Sequence, residues 1–300
     1  MVLIIMAKRK RPPRPPKDRG FRGGRAHGRR GPRRHPGPAG SPADSQPGAV
    51  RGPSGTVWIY GYHPVLAALA NARRTCFRLL IAASAERDPG HRVAEAGRAV
   101  PGRPDPETVE RAEIDRIVGP GSVHQGLALL AGPLPDVAIE DVVAGAADTP
   151  DSAVVVLDQA TDPQNVGAVL RSAAAFGAAA VVIQDRHGPP MSSALLKAAS
   201  GAAEKVPVVR VVNLARAIWA LKDGGFWCVG LDPAAGRTLA AADLKGRAAL
   251  VLGAEGRGLR RLTAETCDEL LKVPIVAGAD SLNLSNAAAV ALYELNRKRG

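Results

Sequence analysis

Aromatic residues make up only 3% of this 300-residue sequence: four Phe, three Tyr and three Trp. Its core must therefore be built from Ala, Val and Leu. Cysteine is scarcer still. Cys76, Cys228 and Cys267 are odd in number and widely spaced. That excludes a disulfide framework, offers no metal-ligand spacing and suits a reducing cytoplasm. No apolar run is long enough to span a membrane. Val2 to Met6 is apolar but far too short for a signal-peptide core, and basic residues follow it instead of preceding it. A phosphate loop of the form G-x-x-x-x-G-K-[ST] is also absent.

Positive charge is plentiful but unevenly placed. Residues 1–55 hold 14 Lys/Arg and 2 Asp/Glu, whereas 56–300 hold 26 of each, so the whole formal excess of +12 lies in the first segment. That segment also contains ten Pro and ten Gly. Such a composition cannot bury enough apolar surface to offset its ordering entropy, which predicts a disordered tail over 1–55. Basic arms of this kind neutralise phosphates, making Arg22, Arg25, Arg33 and Arg34 candidate RNA contacts.

From 56 to 134, short apolar runs alternate with amphipathic ones and predict a small α/β domain. Its strands are expected at Val57–Tyr60, Phe77–Ala82 and Leu127–Ala131, and its helices at Val65–Asn71 and Val93–Val100. His63 and His124 each sit beside a turn, where structural histidines are commoner than catalytic ones. Arg73, Arg74, Arg78, His124 and Gln125 are candidate RNA contacts. Residues 135–150 read as a linker with one short helix at Ile139–Val143.

From 151 to 300 the alternation is more regular. Strands are expected at Ala153–Leu157, Ala180–Ile183, Val206–Val212, Trp227–Leu231, Ala249–Leu252 and Leu271–Val273. Helices are expected at Val166–Phe176, Ser193–Ser200, Leu214–Lys222 and Ala287–Arg297. This is the pattern of a mostly parallel sheet covered on both faces. In the first helix Val166, Val169, Leu170 and Ala173 share one face, and Arg171 projects from nearly the opposite side.

Three stretches near the end stand out. The run Ala248–Leu252 stops at a turn carrying Gly253, Gly256 and Gly258 with Glu255 between them. This turn is not the dinucleotide pattern G-x-G-x-x-G. Leu271 to Ile275 is a second apolar run, which Pro274 ends or places at an edge. Ser281 to Asn286 packs two Asn and two Ser before an Ala-rich helix, and Ser285 or Asn286 is a credible N-cap. Loops at the carboxyl ends of parallel strands form the ligand crevice of an open α/β sheet.

Together with Asp162-Pro163-Gln164-Asn165-Val166-Gly167 and the Arg171 that follows, these stretches resemble the three motifs of the SpoU/TrmH family of RNA ribose 2′-O-methyltransferases, in the SPOUT superfamily. The resemblance runs from about Val154 to Asn296. A weaker one, from Val57 to Leu134, is similar to the L30e-like substrate-binding domain of that family. It implies a deep trefoil knot in the C-terminal domain, a homodimer and S-adenosylmethionine as cofactor. It implies a cofactor pocket made by Gly253, Val273, Ile275, Leu282 and Leu284, and a catalytic set of Asn165, Arg171, Glu255, Ser285 and Asn286, without metal or membrane. The domain order resembles the branch that methylates a guanosine in 23S ribosomal RNA. A transfer-RNA guanosine enzyme and a non-catalytic ribosome-assembly factor are the alternatives.

Overall fold

The computed structural model describes residues 53–276 and 281–299. The arginines expected to contact RNA from the tail, Arg22, Arg25, Arg33 and Arg34, lie outside the described residues. The fold is α/β, and among the described residues its strands form two sheets.

The first sheet has the order β1-β4-β2-β3. Its strands are β1 (Val57–Tyr60), β2 (Cys76–Ala82), β3 (Pro106–Val109) and β4 (Leu127–Ala131). β4 runs antiparallel to both neighbours, and β3 joins β2 in parallel at the edge. Helices α1 (Tyr62–Ala70) and α2 (His91–Arg98) cover one face, while α3 (Arg111–Val118) covers the other. β3 and α3 were not expected from the sequence. β3 reads Pro-Glu-Thr-Val and is partly exposed throughout, so it carries no apolar signal.

The second sheet is parallel, in the order β7-β6-β5-β10-β8-β11-β9. Its strands are β5 (Ala153–Leu157), β6 (Ala180–Gln184), β7 (Val208–Val211), β8 (Trp227–Leu231), β9 (Arg237–Thr238), β10 (Ala248–Leu252) and β11 (Glu269–Lys272). Successive residues of a strand face opposite ways, and here both faces are dry. Val155, Leu157 and Leu250 pack under α5 (Pro163–Ala175), α6 (Ser193–Ala199) and α9 (Leu284–Arg299). Val154, Val156 and Val251 pack under α4 (Ile139–Gly145) and α7 (Leu214–Asp223), with α8 (Arg261–Thr266) against α7. Of the two roles expected for Pro274 the structure shows the first: β11 ends at Lys272, before the proline, and lies inside the sheet between β8 and β9. The helix expected inside a linker instead packs Ile139 and Val142 into this core, which leaves a shorter connection after β4.

Two close contacts set the architecture. α5 crosses α6 at Gly167, where a side-chain methyl would meet Leu195 O at 2.7 Å and Ala199 N at 2.9 Å. Only a residue without Cβ permits that approach. The second contact joins the two lobes. Arg74 was a candidate RNA contact, and the structure corrects this. Its guanidinium is 3% exposed and grips Glu204 from the turn after α6, with Nε donating to Oε1 at 3.1 Å. Arg74 Nη1 also donates to Gly132 O at 2.7 Å, and Asn71 Nδ2 donates to Glu204 Oε2 at 2.8 Å. A charge this deep is tolerated only when paired, so Arg74 is unavailable to phosphate. One apolar cluster continues across the same junction, from Leu69 and Leu129 to Leu195 and Leu196.

Replacing Glu204 with Ala leaves the Arg74 charge buried and unpaired. Denaturant unfolding is expected to show a loss of about 3 kcal/mol. A change within the experimental error of the method would remove this pair from any role in stability.

Candidate active site

Parallel strands end on the same side of a sheet, so the loops after β8, β10 and β11 gather at one edge. They enclose a cavity of about 320 Å³. Its apolar wall is Leu231, Leu252, Val273, Ile275, Leu282, Leu284 and Ala287, and its polar rim includes Asp232, Glu255 and Ser281. Gly253, Val273, Ile275, Leu282 and Leu284, far apart in sequence, all line it.

The floor is shaped by Gly253. A methyl there would fall 2.0 Å from Gly258 C and 2.2 Å from Gly258 O. The loop closes on itself at that point, held by Gly258 N donating to Ala254 O at 2.9 Å. Asp158 ties the loop down from below. It is fully buried, its Oδ2 accepts from Arg260 N at 3.0 Å and its Oδ1 accepts from Arg260 Nε at 2.7 Å. The sequence analysis gave Asp158 no role.

Glu255 is the hub of the rim. Its Oε1 accepts from Asn165 Nδ2 at 3.0 Å, Asn283 Nδ2 at 2.7 Å and Leu284 N at 3.0 Å. Asn283 Nδ2 also donates to Asn165 Oδ1 at 2.9 Å. One carboxylate oxygen thus joins the glycine turn to the starts of α5 and α9. Asn165 is free for this because Asp162 caps α5, accepting from Gln164 N at 3.0 Å.

At α9 the cap is Asn283, not the Ser285 or Asn286 expected. Its Oδ1 accepts from Ser285 N at 2.9 Å, from Ser285 Oγ at 2.6 Å and from Asn286 N at 3.4 Å. Ser285 and Asn286 thereby join the network through Asn283. The signal was present: Asn directly before a helical run is a preferred N-cap, but three polar residues competed for the position.

Arg171 stands apart. It is exposed, two turns beyond Asn165 on α5, and does not line the cavity. It does not bond Glu255, and among the described residues it has no ion-pair partner. His124, a candidate RNA contact, is corrected as Arg74 was. It is fully buried, Nε2 lies 2.9 Å from Asp115 Oδ1, and Nδ1 accepts from Gly126 N at 3.1 Å. Its place is the core of the turn before β4. Gln125 and Arg73 are exposed.

Residues 152–293 match the family model described as the SpoU rRNA methylase family, and 58–137 match that of RNA 2′-O ribose methyltransferase substrate binding. This chain belongs to the SpoU rRNA methylase family. It is 44% identical over 179 residues to the 23S rRNA (guanosine-2′-O-)-methyltransferase RlmB of Vibrio cholerae, covering 60% of this chain and 72% of that one. It is 37% identical to an uncharacterised tRNA/rRNA methyltransferase of Synechocystis, covering 81% of this chain but only 62% of the relative's length. In fold it superposes with a TM-score of 0.68 on the SpoU methyltransferase AviRb of Streptomyces viridochromogenes, a structure in complex with AdoMet, at 23% identity over 82% of this chain and 91% of that one.

Removing the Glu255 side chain, as in Glu255→Ala, leaves Leu284 N without its acceptor and frees Asn283. Amide exchange at Leu284 is expected to speed up about tenfold, since a lost hydrogen bond of this kind is worth roughly 1–1.5 kcal/mol. Unchanged protection would show that α9 starts independently of the carboxylate.

Proposed function

We propose that this chain transfers a methyl group from S-adenosylmethionine to a ribose 2′-OH of RNA, with a guanosine of 23S ribosomal RNA as the target. Family membership supports the reaction class, and the likeness to RlmB supports the target. The observation that carries the reading is the single cavity shared by the glycine turn, the segment after β11 and the start of α9.

The lining fits the cofactor. Aliphatic Leu231, Val273, Ile275, Leu282 and Leu284 suit an adenine, and the missing side chain of Gly253 lets the Gly258 backbone close the loop beneath them. Asp232 and Glu255 at the rim suit the positive end of the molecule. Bound there, the cofactor supplies an electrophilic methyl group on sulfur.

The residues of the chain do the rest. Asn165 and Asn283 are fixed by Glu255 and hold the mouth of the cradle in one geometry, which is how positioning lowers a barrier. Glu255 Oε1 accepts three N–H groups, which gives this carboxylate an orienting role. Arg171 is unpaired among the described residues. A guanidinium keeps its proton in proteins and does not act as a base. Arg171 therefore binds the phosphate beside the target ribose and stabilises negative charge developing on the 2′ oxygen, with a substrate phosphate oxygen taking the proton.

The same reading extends to architecture and location. The central place of β10, the insertion of β11 between β8 and β9, and the return of α9 onto α5 support a knotted C-terminal segment. The mixed sheet of residues 57–131 supports an L30e-like substrate-binding domain. Val290 and Tyr293 are exposed on α9, and an apolar helix face of this kind supports a homodimer. No helix of the described residues is long and apolar enough to cross a membrane, and ribosomal RNA as target supports a cytoplasmic location.

Arg171→Ala is expected to lower the turnover of a 23S rRNA transcript by about a hundredfold or more, with cofactor affinity by calorimetry unchanged. Methyl transfer at the wild-type rate would refute the role. Gly253→Ala is expected to do the converse and weaken cofactor binding about tenfold, roughly 1.4 kcal/mol. Equal affinity would mean that the cavity is not the cofactor site.

A further inference from the structure

Several cations among the described residues are matched by a carboxylate. Arg74 has Glu204, Arg260 has Asp158, Lys222 has Asp268 and Arg78 has Glu107. Lys197 is different. It lies on α6 of the methyltransferase lobe and points across the junction at the first lobe. Its Nζ is 5.7 Å from the centroid of the Tyr60 ring. A methyl on Gly61 would lie 2.3 Å from that Nζ and 3.3 Å from Gln125 Oε1. No carboxylate or carbonyl among the described residues bonds the ammonium. Burial also pulls its pKa down from the ordinary lysine range, the mark of a charge without compensation.

The groups around it suit a nucleotide. Tyr62 and the exposed His63 form an edge-to-face pair with ring centroids 5.1 Å apart. Gln125 is exposed, held in a left-handed conformation at φ 55°, and its Oε1 accepts from Tyr62 N at 3.1 Å. That leaves its amide N–H groups free to donate. Arg92 is exposed near the Tyr62 side chain, with its Nε 3.7 Å from Asp88 Oδ1. An aromatic surface, a free amide and two cations are what single-stranded RNA needs: stacking for a base, donors for its edge and charge for its phosphate.

The position fits as well. α6 crosses α5 at Gly167. Arg171 is four residues further along the same face of α5, about 6 Å along the helix axis. Lys197 and Arg171 thus flank one helix crossing, one directed at the first lobe and the other exposed to solvent.

We propose that Lys197, Gln125 and the Tyr62–His63 pair form a single-stranded RNA subsite spanning the two lobes, with the ammonium on a backbone phosphate and the exposed imidazole against a base. This subsite rests on the function proposed above and places the strand next to the target ribose along α6.

The test uses the full chain and an unmodified 23S rRNA transcript as probe, comparing wild type with Lys197→Met and His63→Ala. Binding is measured across a salt series, alongside S-adenosylmethionine affinity and methyl incorporation. Lys197→Met is expected to weaken RNA binding about fivefold and to reduce the salt slope by about 1, the signature of one lost phosphate contact. His63→Ala is expected to weaken binding with the slope unchanged, and both variants keep wild-type cofactor affinity. Two variants that bind RNA as wild type does overturn the subsite, and so does a Lys197→Met protein that loses cofactor affinity in step with RNA. A wild-type chain that binds the transcript but transfers no methyl to it overturns the functional reading instead, and the salt slopes still decide the subsite.

Discussion

The site depends on one oxygen atom. Glu255 Oε1 gathers donors from three chain segments that are distant in sequence, the glycine turn's own carboxylate meeting Asn165, Asn283 and the Leu284 amide. An anion at this place also suits the partial positive charge of the α9 N-terminus. Cradle and rim are thus one assembly: the loop that supplies Gly253 to the floor supplies Glu255 to the rim. Beneath it, Asp158 repeats the device on the buried side through Arg260.

Much of the catalytic lobe was legible in the sequence, because a parallel sheet buried on both faces needs continuous runs of small aliphatic residues. Val-Val-Val in β5 and Ala-Leu-Val-Leu in β10 are such runs. Elements without that signal escaped. β3 is a polar edge, β9 is two residues long and α8 is six. The cavity lining was also legible, since glycine and aliphatic residues at strand ends are local features. The fate of charged residues was not. Arg74 and Arg73 are neighbours in sequence, and only the first meets a carboxylate 130 positions away. His124 and Gln125 differ in the same way: one turns inward to Asp115 and the other outward. The choice of Asn283 over Ser285 and Asn286 as cap rests on where the helix begins, and Glu255 sets that.

Charge is distributed with a similar division of labour. From residue 56 onward the chain carries as many acidic as basic groups, and most of its structural arginines are spent on internal partners. Among the described residues Arg73 and Arg171 are exposed without an ion-pair partner, and Lys197 faces only the Tyr60 ring. The net excess of positive charge lies in the first 55 residues, where the proposed function would use it for long-range attraction of a polyanion. Contacts of the folded body are short-ranged and positional.

The junction between the lobes is a buried ion pair inside a continuous apolar cluster. Such a joint does not bend at small cost. The separation between whatever the first lobe grips and the catalytic cradle is then a constant of the protein, and the molecule works as a ruler. Under the proposed function, an RNA that places its ribose at the wrong distance from its anchoring nucleotides would have to deform to be accepted, and part of the selectivity would reside in the nucleic acid.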